Sequence, residues 1–353
     1  MPILRAATSG RPYHILFGSG SAKLGIKGKT EGSMNQGWAV EIDDLVKNFG
    51  AFTAVDHVSL KVEKGEIFGF LGPNGAGKST TIRMLCGILA PTSGQGRVGG
   101  FDIYKESEKI KQHIGYMSQR FSLYEDLTVE ENIDFYSGIY CLPREIKAER
   151  KEWALRMAGL QERRTSPTHT LAGGWKQRLA LGCAILHEPS ILFLDEPTSG
   201  VDPLSRRRFW SLIYDMAGRG ITIFVTTHYM DEAEYCDRLA LIYRGKIIAL
   251  GTPAELKKEY MPEAVWELET EQLVEAMTLL KENVGAVREP PLREVAVFGN
   301  TLHVVTPKGA DLASSLPSLL SAHGIGTRRL EKIDPSLEDV FVSLVEEKDR
   351  ELL

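Results

Sequence analysis

The sequence predicts an α/β fold followed by a smaller α+β module. From residue 38 to about 260, short apolar runs end abruptly in glycine or polar residues and are separated by segments of helical character. This alternation is typical of strands and helices built around one sheet. The stretch from about 120 to 170 is mostly helical and polar, which indicates a helical insertion. Beyond Gly251-Thr252-Pro253 the pattern changes to short strands interleaved with two helices.

The main predicted elements of the first part are buried strands and amphipathic helices. The strands are predicted at Ile67–Leu71, Ile191–Leu194, Ile221–Val225 and Leu239–Tyr243. The helices are predicted at Thr80–Leu89, Thr128–Tyr140 and Leu204–Ala217.

The C-terminal part has the element order β-α-β-β-α-β, which predicts a small module of ferredoxin-like type. Its elements are predicted at Ala264–Leu268, Glu271–Lys281, Val295–Phe298, Leu302–Val305, Leu312–Ala322 and Thr327–Glu331. A final helix follows Asp334-Pro335-Ser336, and we interpret its apolar stripe as an intramolecular packing face rather than a partner-binding face. We therefore expect a sheet domain over residues 38–260 and an accessory module over residues 261–353.

Composition indicates a soluble, cytosolic, globular chain. The 353 residues include 42 Lys and Arg against 47 Asp and Glu, with 43% hydrophobic and 25% charged residues, which are ordinary globular values. No apolar run reaches the about 18–20 residues that span a bilayer. The four cysteines have no metal-ligand spacing, so we expect neither a disulfide scaffold nor a zinc site. The mild acidity gives no nucleic-acid footprint, and no nucleic-acid partner is expected.

The first 37 residues differ from the rest. They contain seven glycines, five Lys or Arg and a single acid, Glu31, without the continuous apolar core of a signal peptide. We interpret them as a disordered or adventitious leader, with Met34 as a candidate natural start. A basic leader that touches an anionic surface is the alternative.

A phosphate-binding loop is predicted where the strand Ile67–Leu71 ends. Eight residues match the pattern GxxxxGK[ST] and open a helix: Gly72, Pro73, Asn74, Gly75, Ala76, Gly77, Lys78 and Ser79. Glycines let backbone N–H groups turn toward phosphates, and the helix N-terminus adds a fixed positive field. Lys78 is expected to reach the β- and γ-phosphates, Ser79 to ligate Mg²⁺, and Thr80 to donate to a phosphate oxygen. The motif in this setting predicts nucleotide binding.

A second part of the predicted site is a buried strand that ends in two carboxylates, Asp195 and Glu196. Uncompensated carboxylates near a core are costly, and Mg²⁺ supplies the compensation. Asp195 would hold the ion directly or through water, which leaves Glu196 to orient and polarise the attacking water. A helix-capping or solvated acidic turn before Pro197 is the alternative.

A third strand, Ile221–Val225, runs into Thr226, Thr227 and His228. Parallel strands deliver their C-terminal ends to the same edge of a sheet, so His228 is expected beside the phosphate loop. There it could hydrogen-bond a γ-phosphate oxygen. A purely structural histidine is the alternative.

These motifs, in this order, resemble those of the ATP-binding cassette (ABC) ATPases over about residues 38–260. The feature that separates that family from other P-loop proteins is a motif at a helix start about 20 residues before the acidic strand. Here its residues are Leu171, Ala172, Gly173, Gly174 and Trp175. The resemblance implies a P-loop NTPase cassette with a mixed sheet core and a helical subdomain over about 120–170.

The resemblance also implies roles for single residues. Phe49 matches the aromatic residue that stacks on adenine. Gln119 matches the glutamine that contacts Mg²⁺ and water, and His228 matches the switch histidine. The loop from Ser199 to Asp202 resembles the one that crosses to the partner cassette.

In the family, the signature residues Leu171, Ala172, Gly173 and Gly174 would close over a γ-phosphate bound to the other cassette of a head-to-tail pair. ATP then holds two cassettes together, and hydrolysis releases them. The usual motif has Ser at the position of Ala172 and Gln at that of Trp175. The missing hydroxyl removes a hydrogen bond worth about 1.5–3 kcal/mol to a charged acceptor. We therefore expect slower or weaker closure in a homodimer, or an asymmetric pair.

Two further segments resemble parts of exporter cassettes. The tail from Asp334 to Phe341 resembles the C-terminal end of cassettes that work with ABC-2 type permeases, a group that includes drug, polysaccharide and lipid-linked exporters. The segment from Arg120 to Glu125 resembles the part that receives a short helix from the membrane subunit, with Phe121 or Tyr124 as contact anchors. Packing of these rings inside the helical subdomain is the alternative.

The resemblance implies an ATPase subunit that binds MgATP, pairs with a second cassette as a homodimer, and drives an integral membrane permease. Lys78, Mg²⁺ and His228 would stabilise charge during water attack. Such a protein lies on the cytoplasmic face of the cell membrane. Two alternatives stay open: a non-transport ABC ATPase acting on ribosomes or nucleic acid, and a non-hydrolysing regulatory cassette.

Overall fold

The structure of the chain is a computed structural model that describes residues 37–120, 122–261, 263–282, 292–307, 310 and 312–351. The leader expected over residues 1–37 therefore lies outside the described residues, apart from Gly37, and so does Phe121. The described residues form three sheets, one of six strands and two of four.

The described residues contain fourteen strands and eleven α-helices. Strands β1 to β14 span Val40–Phe49, Phe52–Val62, Ile67–Leu71, Ser93–Val98, Phe101–Asp102, Ile114–Met117, Ile191–Asp195, Thr222–Thr227, Arg238–Tyr243, Lys246–Gly251, Ala264–Glu269, Glu294–Phe298, Thr301–Thr306 and Arg329–Ile333. Helices α1 to α11 span Lys78–Leu85, Ser107–His113, Val129–Ile139, Arg144–Ala158, Gly173–Ala184, Pro203–Gly218, Met230–Ala233, Pro253–Tyr260, Leu273–Glu282, Leu312–Ala322 and Leu337–Glu351.

The six-stranded sheet has the order β10-β9-β3-β8-β7-β6. Five strands run parallel, and β10 pairs antiparallel with β9, so the sheet is mixed as expected. The predicted strand at 221–225 extends to Thr227, because Thr226 and Thr227 are buried and continue the pairing with β3. All four predicted strands are present at the centre of this sheet.

Both faces of the six-stranded sheet are covered, which explains why β3 and β7 are continuous apolar runs. On one face the ring of Phe224 lies 5.3, 5.6 and 5.5 Å from those of Phe68, Phe70 and Phe193. On the other face, alternate residues of the same strands pack against α5 and α6. This packing fixes the strand ends that carry the predicted phosphate loop and carboxylates.

A second sheet, of order β2-β1-β4-β5, is antiparallel and packs its apolar side into the same core as the phenylalanines. Between β6 and β7, α3 and α4 with short 3₁₀ turns form the helical insertion. Helix α3 begins after Thr128, whose side chain forms a reciprocal capping box with Glu131. Within residues 120 and 122–170 no strand occurs, in agreement with the prediction.

The C-terminal elements follow the predicted order, β11-α9-β12-β13-α10-β14, with the sheet order β12-β13-β11-β14 and antiparallel neighbours throughout. Strand β14 begins at Arg329, opposite Glu269, two residues later than predicted. Helices α9 and α10 cover one face of the sheet.

Helix α11 packs between this module and the first domain. Its residues Leu337, Val340 and Leu344 share one apolar cluster with residues of the six-stranded sheet and with the second face of the C-terminal sheet. The prediction of an intramolecular packing face is therefore confirmed. Among the described helices, none combines the length and apolarity needed to cross a bilayer.

Candidate nucleotide-binding site

The predicted phosphate loop connects β3 to α1, and its glycines are required by close packing. Gly77 has a left-handed backbone with φ of 108°, and a Cβ atom there would lie 2.5 Å from the Ala54 carbonyl oxygen. At Gly72 a Cβ atom would collide with the carbonyl group of Ile242. Any larger residue would push the loop away from the strand, so the sequence can form this tight turn only with glycine.

The side chain of Lys78 folds back into the phosphate loop. Its ammonium donates hydrogen bonds to the carbonyl oxygens of Gly72 at 2.7 Å and Pro73 at 3.1 Å. It also lies 3.0 Å from Oε1 of Glu196, and both side chains are almost completely buried, at 3% and 5% exposure. Because a buried charge must be compensated, this pair satisfies both groups in the structure.

Ser79 and Asp195 form the second contact of the site. The Ser79 hydroxyl donates to Oδ1 of Asp195 at 2.9 Å, and Thr226 donates to the same oxygen at 2.8 Å. Burial raises the pKa of Asp195, although these two hydrogen bonds oppose the increase. An adjacent hydroxyl and buried carboxylate fit Mg²⁺, which takes one or two protein oxygens together with substrate phosphates. Within the described ranges no cluster of three or more His, Cys, Asp or Glu suits a metal.

Glu196 is the residue on which the predicted catalytic side chains converge. In addition to Lys78, Gln119 Nε2 donates to Oε2 of Glu196 at 3.0 Å, and His228 Nδ1 lies 3.3 Å from the same oxygen. Gln119 thus contacts this carboxylate rather than the Ser79–Asp195 pair. The buried Nδ1 of His228 has no partner with hydrogen-bond geometry, so it can still accept or donate one.

The backbone at Glu196 is unusual, because φ is +46° at a residue that is not glycine. Such a conformation costs about 1–3 kcal/mol and persists only where its surroundings hold it. The N–H group of Glu196 donates to the carbonyl oxygen of Thr226 at 3.2 Å and to its hydroxyl at 2.9 Å. These bonds to the neighbouring strand hold the carboxylate at the sheet edge.

Phe49 lies apart from this cluster of charges. It ends β1 with 49% of its surface exposed, and the ammonium of Lys47 lies 5.1 Å from its ring centre. Its ring is thus accessible to a ligand.

The signature residues lie at the start of α5. Ala172 is the exposed N-cap residue and provides no side-chain hydrogen bond. Leu171 is buried, Gly173 is exposed, and Gly174 packs so closely on Ser205 that a Cβ atom would collide with it. No hydrogen bond or ion pair between described residues joins this segment to the phosphate loop.

Asp202 is the N-cap of α6, where its carboxylate accepts the N–H of Ser205 at 2.9 Å. That hydrogen bond lowers the pKa of Asp202. The residue therefore has a structural role within this chain, at the end of the turn that begins at Ser199.

Trp175 lies beside two arginine side chains, a contact that was not predicted from the sequence. The guanidinium groups of Arg178 and Arg163 lie 4.0 and 5.4 Å from its ring. Burial lowers the pKa of Arg178, and repulsion from Arg208 adds to this effect. Two cations on one indole make the start of α5 more basic than the motif alone indicates.

Sequence reasoning missed several polar residues that support the site. Thr226 was predicted only to follow the strand Ile221–Val225, although it forms hydrogen bonds with both Asp195 and Glu196. Gln177 donates to the Pro197 carbonyl oxygen at 2.7 Å and so links α5 to the acidic strand. Glu232 is fully buried and accepts hydrogen bonds from Thr198 and Thr227. No local pattern distinguishes these residues from ordinary polar ones, although two threonines ending a buried strand are a weak signal.

Tyr124 is half exposed, and its ring lies 4.5 Å from that of Phe135 in an edge-to-face arrangement. Phe135 and Ile139 on α3 are exposed as well, at 38% and 55%. Tyr124 therefore packs on the helical insertion and still presents an apolar face outward. Phe121, the other predicted anchor, lies outside the described residues.

Comparisons with known proteins agree with the motifs. The family model described as "ABC transporter" matches residues 55–199, and a model described as "AAA domain, putative AbiEii toxin, Type IV TA system" matches residues 176–230. The chain is 56% identical over 220 residues to the probable multidrug ABC transporter ATP-binding protein YbhF of Escherichia coli (strain K12), which covers 62% of this chain and 38% of YbhF. The chain thus spans well under half the length of that relative.

A second relative matches along most of its length. The chain is 35% identical over 306 residues to the linearmycin resistance ATP-binding protein LnrL of Bacillus subtilis (strain 168), covering 86% of this chain and 97% of LnrL. Among solved structures, cbiO1 from Clostridium perfringens, part of the ABC transporter complex cbiONQ, has a TM-score of 0.58 and 31% identity over 63% of this chain and 91% of its own. The dimeric structure of MJ0796, a bacterial ABC transporter cassette, has a TM-score of 0.56 and 25% identity over 60% and 98%.

Proposed function

The chain belongs to the ABC transporter family, and on that premise we propose that it binds MgATP, pairs with a second cassette and hydrolyses the nucleotide to drive export. The observation that carries this proposal is the convergence of Lys78, Gln119 and His228 on the single carboxylate of Glu196. The Ser79–Asp195 pair is the second oxygen cluster at the same sheet edge. A buried carboxylate surrounded by hydrogen-bonding side chains, with an oxygen pair suited to a divalent ion beside it, is what phosphoryl transfer to water requires.

The binding step follows from the pairing of Lys78. Its ammonium is engaged with Glu196, and phosphate oxygens that enter the loop compete for the same charge. We infer that nucleotide binding transfers Lys78 to the β- and γ-phosphates and leaves the buried carboxylate of Glu196 with Gln119 and His228 as its neighbours.

The hydrolysis step uses the residues around Glu196. Glu196 accepts a proton from the attacking water, which Gln119 helps to orient, and His228 donates a hydrogen bond to the γ-phosphate. Ser79 and Asp195 would hold Mg²⁺, which supplies charge neutralisation on the phosphates when bound. Phe49 stacks on the adenine. The rest of the phosphate loop contributes backbone N–H groups to the phosphates.

The paired state places the signature of one cassette over the nucleotide of the other, with Asp202 in the loop that crosses between them. The dimeric structure of MJ0796 supports this pairing. The names of YbhF and LnrL support a multidrug or antibiotic-type molecule as cargo and a separate membrane permease as partner. The exposed apolar face of Tyr124, Phe135 and Ile139 is the proposed permease contact on the cytoplasmic side of the membrane.

The proposal is tested with the variant Glu196→Gln in the full chain. We expect turnover to fall by about 10²–10⁴-fold, the usual contribution of a general base, while MgATP binding is retained. MgATP should also shift this variant from monomer to dimer in size-exclusion chromatography with light scattering. The matched control is Glu149→Gln, which replaces an exposed carboxylate on α4 with a carboxamide. This variant should behave as the wild type. Normal turnover in Glu196→Gln would contradict the proposed chemistry.

A non-hydrolysing regulatory cassette is the second candidate, and Ala172 is the observation that favours it. The start of α5 has no side-chain hydroxyl for a partner's phosphate. Wild-type protein that binds MgATP and forms dimers without releasing inorganic phosphate would favour this function. Steady phosphate release by the wild type would exclude it.

A further inference from the structure

One fully buried carboxylate near the site has no part in the chemistry proposed above. Glu232 lies on α7, four residues after His228, and its side chain is 0% exposed. Burial raises the pKa of this carboxyl, and its hydrogen bonds and a nearby arginine oppose that increase. Burying a carboxylate costs more free energy than burying an apolar side chain of similar size. We therefore examine which residues Glu232 contacts.

The two oxygens of Glu232 accept hydrogen bonds from two different segments, the residues after β7 and the end of β8. Thr198 donates to Oε1 at 2.5 Å, and Thr227 donates to Oε2 at 2.8 Å. Nε of Arg206 on α6 lies 3.3 Å from Oε1, and its guanidinium group lies 4.0 Å from the ring of Tyr229. One carboxylate therefore connects three separate segments of the chain.

The two threonines have specific positions relative to the site. Thr198 comes two residues after Glu196 and directly before the turn that begins at Ser199. Thr227 directly precedes His228, and its hydroxyl also accepts the N–H of Tyr229 at 3.0 Å, which closes the backbone around the histidine. The Thr227 carbonyl oxygen accepts the N–H of Gly72, the first residue of the phosphate loop, at 3.4 Å.

We propose that Glu232 is a positioning residue for ATP hydrolysis, which fixes the loop carrying Glu196 against the turn carrying His228. The 3.3 Å approach of His228 to Glu196 is then set by a bridge through Thr198, Glu232 and Thr227. Because Thr198 directly precedes the turn that begins at Ser199, a movement of that turn would shift Glu196 and His228 together. The inference rests on the proposed ATPase function and assigns a role to a residue behind the site.

The test compares Glu232→Gln with Asp231→Asn in the full chain. Asp231 lies on the same helix and contacts the same arginine, at 3.4 Å, but its side chain is 70% exposed. We expect Glu232→Gln to lower kcat by about tenfold or more, with KM and the Kd for a fluorescent ATP analogue within about twofold of wild type. Asp231→Asn should leave all three values unchanged. A raised KM with normal kcat, or normal kinetics in Glu232→Gln, would overturn the inference.

A second measurement separates positioning from general destabilisation. Thr198→Val and Thr227→Val each remove one hydrogen bond of the bridge, and each should lower kcat by about fivefold in the wild-type background. In the Glu232→Gln background either change should have little further effect, because the bridge is already broken. Fully additive losses would mean that the three residues act separately. These threonine variants also test the bridge if Glu232→Gln does not fold.

The wild-type assay distinguishes this inference from the function on which it rests. No phosphate release by the wild type would contradict the proposed ATPase and the inference with it. Wild-type turnover with equal turnover in Glu232→Gln would contradict the inference alone.

Discussion

At the start of α5, Ala172 has the backbone conformation of an N-cap residue but no oxygen to accept a hydrogen bond from the first turn. Replacing it with serine should supply that bond and increase the free energy of unfolding by about 1 kcal/mol. The same hydroxyl would face the partner's γ-phosphate, so turnover should rise by about tenfold. Urea unfolding and phosphate release measure the two effects.

Ala148→Ser is the control for this change. Ala148 is a solvent-exposed residue within α4, where the backbone N–H groups are already bonded inside the helix and cannot donate to a serine hydroxyl. It should give no gain in either measurement. An Ala172→Ser protein with unchanged or lower turnover would count against a role for this position in a shared nucleotide site.

At the same scale, the residues predicted from the sequence are those of short contiguous motifs. Lys78, Ser79 and the Asp195–Glu196 pair were predicted because their spacing is itself the signal. Glu232 was not, since its bridge to Thr198 joins residues 34 positions apart and depends on how α7 packs. A buried carboxylate looks the same in sequence as an exposed one.

At the scale of elements, the buried contact between β12 and α11 has a titratable group. Burial raises the pKa of Glu294 from 4.5 to about 7, with repulsion from Glu346 on α11 as the next cause. Between these values the unfolded chain loses the proton and the folded chain keeps it, so stability falls as the pH rises from about 4.5 to 7. Above that range Glu294 is ionised in the folded chain as well, and the full free-energy cost of burying its carboxylate applies.

Glu294→Gln should therefore stabilise the protein in mildly alkaline solution. At about pH 8 we expect a gain of about 1–2 kcal/mol in the free energy of unfolding, after discounting for the partial exposure of the group, and almost none at about pH 4.5. Chemical unfolding at both values measures this difference. Glu275→Gln, which makes the same charge change at an exposed site on α9, should show no such pH dependence. An equal gain for Glu294→Gln at both pH values would contradict this assignment.

Elements differ in how well the sequence predicted them, and burial explains the difference. The strands of the six-stranded sheet are buried on both faces, so each is an unbroken apolar run. Strands β1 and β2 are buried on one face only and carry several charged residues, and no separate antiparallel sheet was predicted from them. Their pairing is fixed by contacts with β4 and the shared core, which local sequence does not reveal.

At the scale of the whole molecule, one apolar cluster belongs to both parts of the chain. Leu71, the last residue before the phosphate loop, lies in it, together with Val265 and Val305 of the C-terminal sheet and Leu344 of α11. Since α11 also packs against α7, which follows His228, the C-terminal part supports both sides of the nucleotide site. The two parts should consequently unfold together.

This coupling predicts a single unfolding transition, which two substitutions can test. Leu344→Ala removes a side chain from the shared cluster, and Leu316→Ala removes one from the separate core of the C-terminal module. Each should cost about 2–5 kcal/mol and shift the whole transition, because neither part is stable without the other. Far-UV circular dichroism and tryptophan fluorescence, the latter in a Trp266→Phe background so that no tryptophan of the C-terminal module contributes, should then report the same midpoint. If Leu316→Ala instead produced an early transition seen by circular dichroism and not by tryptophan fluorescence, the module would unfold independently and the shared cluster would not couple it to the nucleotide site.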